Sequence, residues 1–323
     1  MALYLVTGGA GFIGSHLVHG LVARGDRVRV LDDLASGTRK NLAAFELGGV
    51  GTGAQVEYCE GSITDSRACR SVCDGVEGIF HEAAQVSVPQ SVERPEASYE
   101  INVMGTLRIL EAARLAGVKR LVMAASSAAY GNSDVLPKKE TMPLEPLSPY
   151  ASGKIAGEHL FRVWGEVHGM HTVCLRYFNV FGPRQADDSP YTGVIAIFAR
   201  ALLEGKAPTI YGDGEQTRDF TYIDNVVEAN LLAMDATLAP GTVINVGAGE
   251  RISLNDLYGA MSEILEVTLA PNYKDERTGD VRDSLADLER ARELLKYEPR
   301  VAWRDGLKQT LAWYRARFEA SAT

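Results

Sequence analysis

The sequence predicts an α/β fold in which a doubly wound parallel sheet is joined to a smaller α/β domain towards the C-terminal end. Two observations predict it: β-rich runs alternate with helical stretches, and the runs are almost continuously apolar. Such strands are typical of a parallel sheet covered by helices on both faces. The strand candidates are residues 3–7, 27–31, 55–58, 78–80, 120–125 and 172–176. Helices are predicted at residues 13–24, 96–116 and 149–168.

The second half of the chain changes character. A loop rich in Gly, Pro and Asp covers residues 182–191, and residues 243–246 are expected to return to the main sheet. We therefore expect two interwoven domains, one of residues 1–178 plus about 222–246 and one of residues 179–221 plus 247–323. Helices are predicted near residues 194–204, 223–236, 253–266, 286–296 and 303–319, and the four glycines within 48–53 predict a loop.

Composition excludes several classes of function. Of the 323 residues 46% are hydrophobic and 23% charged, and the net charge of −9 gives no sign of the basic face that a nucleic-acid-binding protein needs. No apolar run approaches the ~18 residues of a membrane span, and no signal-peptide pattern precedes the first strand. The four cysteines form no CxxC pair, and the histidines show no metal-ligand spacing. We therefore expect reduced thiols, no metal site, no membrane segment and a cytoplasmic protein.

A glycine-rich turn follows the first predicted strand and opens a helix. Gly8, Gly11 and Gly14 have the spacing that lets a backbone approach a pyrophosphate at a helix N-terminus. Asp32 ends the next strand, where a carboxylate accepts hydrogen bonds from ribose hydroxyls and repels a 2′-phosphate. The pattern therefore predicts NAD binding in preference to NADP. Asp33 either assists at the ribose or faces solvent.

A second constellation points to proton transfer. Tyr150 and Lys154 are four residues apart at the start of a predicted helix, so the phenol and the ammonium share one face. A nearby cation favours the phenolate, which a free tyrosine does not form at neutral pH. Ser126 and Ser127 end a predicted strand, at the edge where ligands bind in open α/β sheets. Ser126, Tyr150 and Lys154 are therefore the predicted catalytic residues.

These motifs, in this order, resemble the extended short-chain dehydrogenase/reductase family over essentially the whole chain. They include TGGAGFIGSH (7–16), HEAAQ (81–85), SSAAYG (126–131), YASGK (150–154) and LRYFNVFGPR (175–184). Within that family the chain most resembles the UDP-hexose and UDP-N-acetylhexosamine 4-epimerases, through YGDGEQTRDFTYIDN (211–225) and RTGDVRDS (277–284). The resemblance implies a Rossmann-type sheet, NAD as cofactor and a UDP-sugar as substrate.

The resemblance also implies roles at matching positions. Tyr150 is the base, Lys154 holds the nicotinamide ribose, Ser126 relays the proton, and Arg218 and Arg277 contact the UDP phosphates. The other implied cofactor contacts are Phe12, Ile13, Ser62, Ile63, Ala83, Ala84, Gln85, Asn102 and Tyr177. The other implied substrate contacts are Ser87, Ser127, Asn179, Val194, Tyr211, Asp280 and Ser284. One departure stands out: Ser62 replaces the aspartate that contacts adenine in the family, which puts that contact in doubt.

The choice of reaction depends on what the chain lacks and on one small residue. Residues 127–129 hold no acid, whereas sugar dehydratases need one there, as the resemblance implies. Ser284 matches the position that limits the sugar pocket in the resembling epimerases, and a serine leaves space for an N-acetyl group. A UDP-sugar 4-epimerase is therefore favoured. A UDP-glucuronate 4-epimerase or decarboxylase, with Arg184 or Arg218 at the carboxylate, and an inactive NAD-binding scaffold remain alternatives.

Two further expectations concern assembly and a buried ring. Relatives of this kind pair through the helices near 96–116 and 149–168, which implies a homodimer with a four-helix contact. Ile109, Leu110 and Ala113 are compatible with that contact, but core packing explains them equally well. His81, at the end of a strand, is expected to hydrogen-bond to backbone.

Overall fold

The computed structural model describes residues 1–187, 193–276 and 281–322. The strands are β1 (Leu3–Thr7), β2 (Arg27–Asp32), β3 (Leu47–Gly48), β4 (Val56–Glu60), β5 (Gly78–His81), β6 (Arg120–Ser126), β7 (His171–Tyr177), β8 (Val180–Phe181), β9 (Thr209–Tyr211), β10 (Thr217–Arg218), β11 (Thr221–Tyr222), β12 (Thr242–Val246), β13 (Ile252–Ser253) and β14 (Asn272–Lys274). The α-helices are α1 (Phe12–Ala23), α2 (Ser66–Cys73), α3 (Val88–Glu93), α4 (Pro95–Tyr99), α5 (Thr106–Leu115), α6 (Pro149–His168), α7 (Val194–Leu203), α8 (Ile223–Asp235), α9 (Leu254–Leu265), α10 (Glu289–Leu295) and α11 (Trp303–Ala322).

The main sheet is parallel and doubly wound, as the sequence predicts. Its strand order is β12-β7-β6-β5-β1-β2-β4-β3, and every pairing is parallel. The chain runs outward from β1 through β2 to β4, then returns to β5 on the other side of β1 and continues outward. The two halves of the winding therefore separate between β1 and β5. Ligands of open α/β sheets bind at the carboxyl ends of the strands at such a point.

The predicted return of the chain to the main sheet is confirmed. Strand β12 pairs with β7 over its whole length, with Ile244 opposite Leu175. The later segments form three two-stranded sheets, which pair β10 with β13, β11 with β8 and β14 with β9. One hydrophobic core runs through both parts, because Leu175 and Ile244 belong to the same buried cluster as Leu257 and Leu307.

Helix α6 shows why the sequence folds as it does near the site. Ser148 is its N-cap and accepts a hydrogen bond from the Ala151 backbone, Pro149 occupies the first helical position, and Gly169 ends it at φ 64°. Each residue type is the one favoured at that place, since serine satisfies a free N–H, proline needs none, and glycine adopts the left-handed conformation at low cost. These signals fix the register that places Tyr150 and Lys154 in the first turns.

Several local expectations were wrong. The predicted helix 96–116 is three pieces, because a π-helical turn at Glu100–Gly105 lies between α4 and α5. The glycine-rich segment 48–53 begins inside a short edge strand, β3. The helix predicted near residues 286–296 begins only at Glu289, since Ala286 forms a β-bridge with Lys138 instead. The bridge of Ala286 with Lys138 is a long-range pairing, which local periodicity does not report.

Candidate active site

The glycine turn between β1 and α1 is a close-packed cradle. Gly8 has φ +70°, and a Cβ added at Gly14 would lie 2.1 Å from the Gly8 carbonyl oxygen. A Cβ at Gly8 would lie 2.8 Å from the Ala83 nitrogen, so the turn also presses on the segment after β5. Helix α1 begins at Phe12 with Gly11 as its N-cap, so no side chain caps its first N–H groups. The predicted phosphate-binding residues thus form an uncapped helix N-terminus suited to a pyrophosphate.

The acid of the predicted ribose site is held in place by backbone. Asp32 is buried at the end of β2, and its two oxygens accept hydrogen bonds from Ala10 N (2.9 Å) and Leu34 N (2.8 Å). Burial raises its pKa, against the backbone hydrogen bonds. A carboxylate offers about four acceptor sites, so Asp32 can still accept from a ribose hydroxyl. Asp33 is exposed and accepts a hydrogen bond only from the Ala35 backbone among the hydrogen bonds described for it.

Ser62 and Ile63 follow β4, next to Asp32 in the sheet. The Ser62 hydroxyl accepts a hydrogen bond from Thr64 Oγ1 at 3.1 Å, which leaves its own proton available to a ligand acceptor such as an adenine nitrogen. Ile63 is buried, and a Cβ added at Gly105 would lie 2.6 Å from its Cδ1 atom. The two residues therefore have different roles. Ile63 packs against the π-helical turn, while the Ser62 hydroxyl can still donate a hydrogen bond to a ligand.

The expectation for His81 was wrong, because both ring nitrogens contact side-chain hydroxyls. Nδ1 lies 2.8 Å from Thr7 Oγ1, and Nε2 lies 3.0 Å from Thr106 Oγ1. Since Thr106 donates its proton to the Asn102 carbonyl (2.7 Å), Nε2 must be the donor and Nδ1 the acceptor. Burial, together with the charge of Lys154, lowers the pKa of His81 to about 3, so the ring is neutral. The chain of bonds ties β1, β5 and α5 together.

The residues after β5 are held by the π-helical turn. The Asn102 side chain accepts from Gln85 N (2.9 Å) and donates to Gln85 O (3.0 Å), so it pairs with that backbone as another strand would. Ser87 caps α3 by accepting from the Gln90 backbone, and the Gln85 amide donates to the Ser87 carbonyl. Ala83 and Ala84 therefore lie in a rigid segment at the edge of the sheet, beside the glycine turn.

The three predicted catalytic residues are brought together. Ser126 ends β6, and its side chain lies close enough to the Tyr150 hydroxyl to act on its pKa. The Lys154 ammonium is buried and donates to the Ala124 carbonyl at 2.7 Å. Burial raises the pKa of Tyr150, and the hydrogen bond from Ser126 acts against that rise. Ser127, which follows, begins a short 3-10 helix and is half-buried.

Sequence reasoning did not single out Glu82, which lies among these groups. Its Oε1 atom accepts a hydrogen bond from the Tyr177 hydroxyl (2.9 Å), which in turn accepts from Asn230 Nδ2 (2.7 Å) on α8. Its Oε2 atom is buried and has no hydrogen-bond partner among the described residues. Burial raises the pKa of Glu82 to about 7, against the hydrogen bond from Tyr177 and the charge of Lys154. A carboxylate directly after an apolar strand, inside the motif HEAAQ, was the available signal.

The predicted substrate residues lie on the short strands of the C-terminal part. Arg218, on β10, donates through Nη1 to the carbonyls of Thr217 (2.9 Å) and Arg282 (3.1 Å). Ser284 donates its backbone N–H to the Thr217 carbonyl (3.1 Å), which places it beside the phosphate-contacting arginine implied by the resemblance. The remaining predicted positions are Asn179 (φ 22°, half-buried), Val194 at the start of α7 and Tyr211 at the end of β9.

One buried carboxylate holds these segments together. Asp219 accepts hydrogen bonds from the backbone N–H groups of Ala248 (2.7 Å), Gly249 (3.1 Å) and Ala286 (3.0 Å). It therefore links the strand of Arg218 to the loop after β12 and to the segment of Ser284. Predicted contacts Arg277 and Asp280 lie outside the described residues. Within residues 1–187, 193–276 and 281–322 there is no cluster of His, Cys, Asp or Glu that could hold a metal.

None of the helices within the described ranges is both long and apolar enough to cross a membrane.

Comparison with known proteins gives consistent results. The model of the NAD dependent epimerase/dehydratase family matches residues 4–247. A UDP-glucose 4-epimerase of Mycolicibacterium smegmatis is 40% identical over 313 residues, which cover 96% of this chain and 98% of that protein. The structure is similar to that of a UDP-N-acetylglucosamine 4-epimerase from Methanobrevibacter ruminantium in complex with UDP-N-acetylmuramic acid, with a TM-score of 0.91, 35% identity and coverage of 98% and 99% of the two chains. It is also similar to a Thermus thermophilus UDP-glucose 4-epimerase complex with NAD, with a TM-score of 0.85, 36% identity and coverage of 97% and 99%.

Proposed function

Because this chain belongs to the NAD-dependent epimerase/dehydratase family, we propose that it inverts C4 of UDP-sugars, with NAD as a recycled cofactor. The observation that carries this proposal is the contact of the Tyr150 hydroxyl with Ser126, one helical turn from the buried Lys154 ammonium. A secondary alcohol placed there has a base, a relay hydroxyl and a cation within one small volume. The uncapped glycine turn and Asp32 fit a dinucleotide on the same edge of the sheet.

The residues of the chain then have separate tasks. When bound, NAD would supply a reversible acceptor for the C4 hydride, which the opposite face of the sugar would receive back. Tyr150 takes the proton of the 4-hydroxyl, with Ser126 as hydrogen-bond partner, and the C4 carbon becomes a ketone. Lys154 favours the phenolate by its charge. Arg218 is expected to hold the UDP while the keto sugar rotates to present its other face, and Tyr150 then returns the proton to O4. Proton and electron pair are both restored, so no second substrate is consumed.

Purified protein incubated with a single UDP-sugar and no added cofactor tests the proposal. UDP-glucose should yield UDP-galactose, since a cofactor that is regenerated in each cycle need not be supplied. Release of CO₂ from UDP-glucuronate would favour the decarboxylase alternative. That reading has little support from Arg184, whose guanidinium contacts His16 Nε2 (3.2 Å) and the Asn41 carbonyl (3.1 Å) against α1. Absence of any turnover would leave the inactive scaffold.

We further propose that UDP-GlcNAc and UDP-GalNAc are accepted. Ser284 is half-buried and its backbone pairs with Thr217, next to Arg218. The resemblance places that side chain beside C2 of the sugar, where serine leaves room for an acetamido group. On the basis of the resemblance we also propose the division into a cofactor-binding part (residues 1–178 plus about 222–246) and a sugar-binding part (residues 179–221 plus 247–323).

The Ser284→Tyr variant tests this gate. We expect turnover of the N-acetylated sugars to fall by roughly a hundredfold or more, because the acetamido group and the phenol would occupy the same volume. Turnover of UDP-galactose should be retained. Ser284→Ala is the matched control and should retain both activities. Equal loss of both activities in the tyrosine variant would remove the gate interpretation.

We also propose a homodimer through α5, α6 and the helical segments before α5. Ile109, Leu110 and Ala113 are not available for that contact, since all three are fully buried in the core of the single chain. A different set of large apolar side chains is exposed on these helices: Val88, Val92, Tyr99, Met104, Leu115, Val163 and Val167. An apolar surface of this kind is typical of an interface.

Val163→Glu tests the dimer. The side chain is 49% exposed in the single chain, so a charge there should leave the fold intact and destabilise a four-helix contact. We expect a mass near 70 kDa in light scattering for the parent, twice the 35.0 kDa of one chain, and about half that mass for the variant at micromolar concentration. Val50→Glu, on an exposed valine in the turn after the edge strand β3, is the control. An unchanged mass in the Val163 variant would place the contact elsewhere.

A further inference from the structure

The proton-transfer scheme assigns no task to an acid that lies beside the catalytic residues. Glu82 lies between β5 and the rigid segment of Ala83, and its Oε2 atom is buried with no hydrogen-bond partner among the described residues. Leaving a charged oxygen in that state costs free energy, so the hydrogen bond from Tyr177 does not by itself account for a carboxylate at this position. The neighbouring Asn230 Oδ1 atom is likewise buried and unpartnered in the described part of the chain. Both orphan acceptors surround the Tyr177 hydroxyl.

The titratable groups around Glu82 come from two elements, α6 and β7. From α6, Lys154 lowers the pKa of Glu82 by its charge, and Glu82 in turn raises the pKa of Tyr150. From β7, the Tyr177 hydroxyl donates to Glu82. Lys154 itself is influenced in addition by Cys174 and Glu158, and its pKa is lowered to about 8, chiefly by burial. Glu82 is therefore the carboxylate that acts electrostatically on both members of the Tyr150–Lys154 pair.

We infer that Glu82 is a positioning residue that supplies the counter-charge of the reaction centre. Its carboxylate stabilises the Lys154 ammonium and the oxidised, positively charged nicotinamide, and it opposes premature ionisation of Tyr150. The inference rests on the proposed function, because it assigns the cofactor's nicotinamide half to the volume beside Tyr150. It adds a residue that acts through charge and that takes no proton from the sugar.

The sign of each effect follows from the charges. Removing the carboxylate takes away repulsion from the Tyr150 phenolate, so the base should form at lower pH. It also takes away attraction for the Lys154 ammonium, so that group should lose its proton at lower pH. Both limbs of the pH profile of kcat should therefore move in the same direction. The equilibrium fraction of reduced, neutral nicotinamide should rise relative to the oxidised, cationic form, because the oxidised form loses its counter-ion.

The Glu82→Gln variant of the holoenzyme tests these signs. We expect both limbs of the profile to move to lower pH by about one unit, the usual effect of one nearby charge. We expect the absorbance of reduced cofactor, read during incubation with UDP-glucose, to rise by up to roughly tenfold, as one unit of pKa represents a tenfold ratio. The difference from the parent should fade below pH 7, because Glu82 then takes up a proton.

Two further variants separate charge from packing. Tyr177→Phe removes the donor to Glu82 and keeps the carboxylate, so it should resemble Glu82→Gln near neutral pH and return towards the parent profile at higher pH. Glu140→Gln changes a half-buried carboxylate that accepts from the Asn245 backbone, and it should alter neither readout. A lower kcat in Glu82→Gln with an unmoved profile and an unchanged fraction of reduced cofactor would overturn the inference. A parent that produces neither epimer nor reduced cofactor would overturn the proposed function and the inference with it.

Discussion

Replacing Tyr150 by phenylalanine is expected to lower kcat for UDP-sugar epimerisation by roughly a hundred- to ten-thousand-fold, the range that a positioned general base contributes. The variant keeps the ring that packs at the start of α6 and loses only the hydroxyl that contacts Ser126. Without it the 4-hydroxyl loses its positioned base, since Ser126 alone is far less acidic than a phenol and Glu82 is assigned a role through charge only. The substrate and cofactor contacts implied elsewhere in the site do not involve the lost atom.

The measurement needs two readouts. The rate of UDP-galactose formation gives kcat, and the nucleotide released on denaturation gives the NAD content of the variant. We expect the rate to collapse while NAD content is retained. Tyr258→Phe, on a half-buried tyrosine of α9 that packs against Phe198, is the matched control and should keep the parent rate. A Tyr150 variant as fast as the parent would show that another group takes the proton.

The parts of the site that the sequence predicts share one property: short chain segments determine them. The glycine turn, the carboxylate at the end of β2 and the Tyr150–Lys154 pair each depend on spacing within one loop or one helix. Local sequence is enough to place such groups, because the strand before and the helix after are fixed by their own periodicity. Even the return of β12 to the sheet follows from a short apolar run.

What the sequence did not predict depends on contacts between distant segments. Glu82 becomes notable only when Tyr177, 95 residues away, donates to it and when Lys154 lies close enough to act on it by charge. The hydroxyl partners of His81 come from β1 and α5, so the ring could not be assigned from its own strand. Asp219 holds segments 29, 30 and 67 residues away. Periodicity within one element carries no information about such partners.

The substrate side depends on this second kind of contact more than the cofactor side does. Arg218 and Ser284 lie next to each other because the backbone of Ser284 pairs with Thr217 and because Asp219 holds the flanking segment. The proposed gate at Ser284 and the phosphate contact implied for Arg218 are therefore connected through one stretch of backbone. A change at Ser284 should therefore also alter the position of Arg218.

The glycine turn is the basis of the second large effect. In Gly14→Ala the new methyl carbon would lie 2.1 Å from the Gly8 carbonyl oxygen, an atom of the backbone that has no rotamer to escape into. The turn must open, and Gly8, which also lies against Ala83, must move with it. Overpacking of this kind costs about 1–3 kcal/mol. Because the shape of the turn is what would bind the pyrophosphate, NAD affinity should fall by roughly ten- to a hundredfold.

The matched control is Gly259→Ala, in helix α9, where an added Cβ meets nothing within 4 Å. There the same change should be neutral or stabilise the protein slightly, since alanine is the better helix former by up to about 1 kcal/mol. Calorimetric titration with NAD and a thermal melt separate the two components in each variant. A Gly14 variant that melts at a lower temperature yet binds NAD as tightly as the parent would mean that the pyrophosphate is not held by this turn. An unchanged melting temperature together with a loss of NAD binding would mean that the added methyl group distorts only the part of the turn that binds the phosphates.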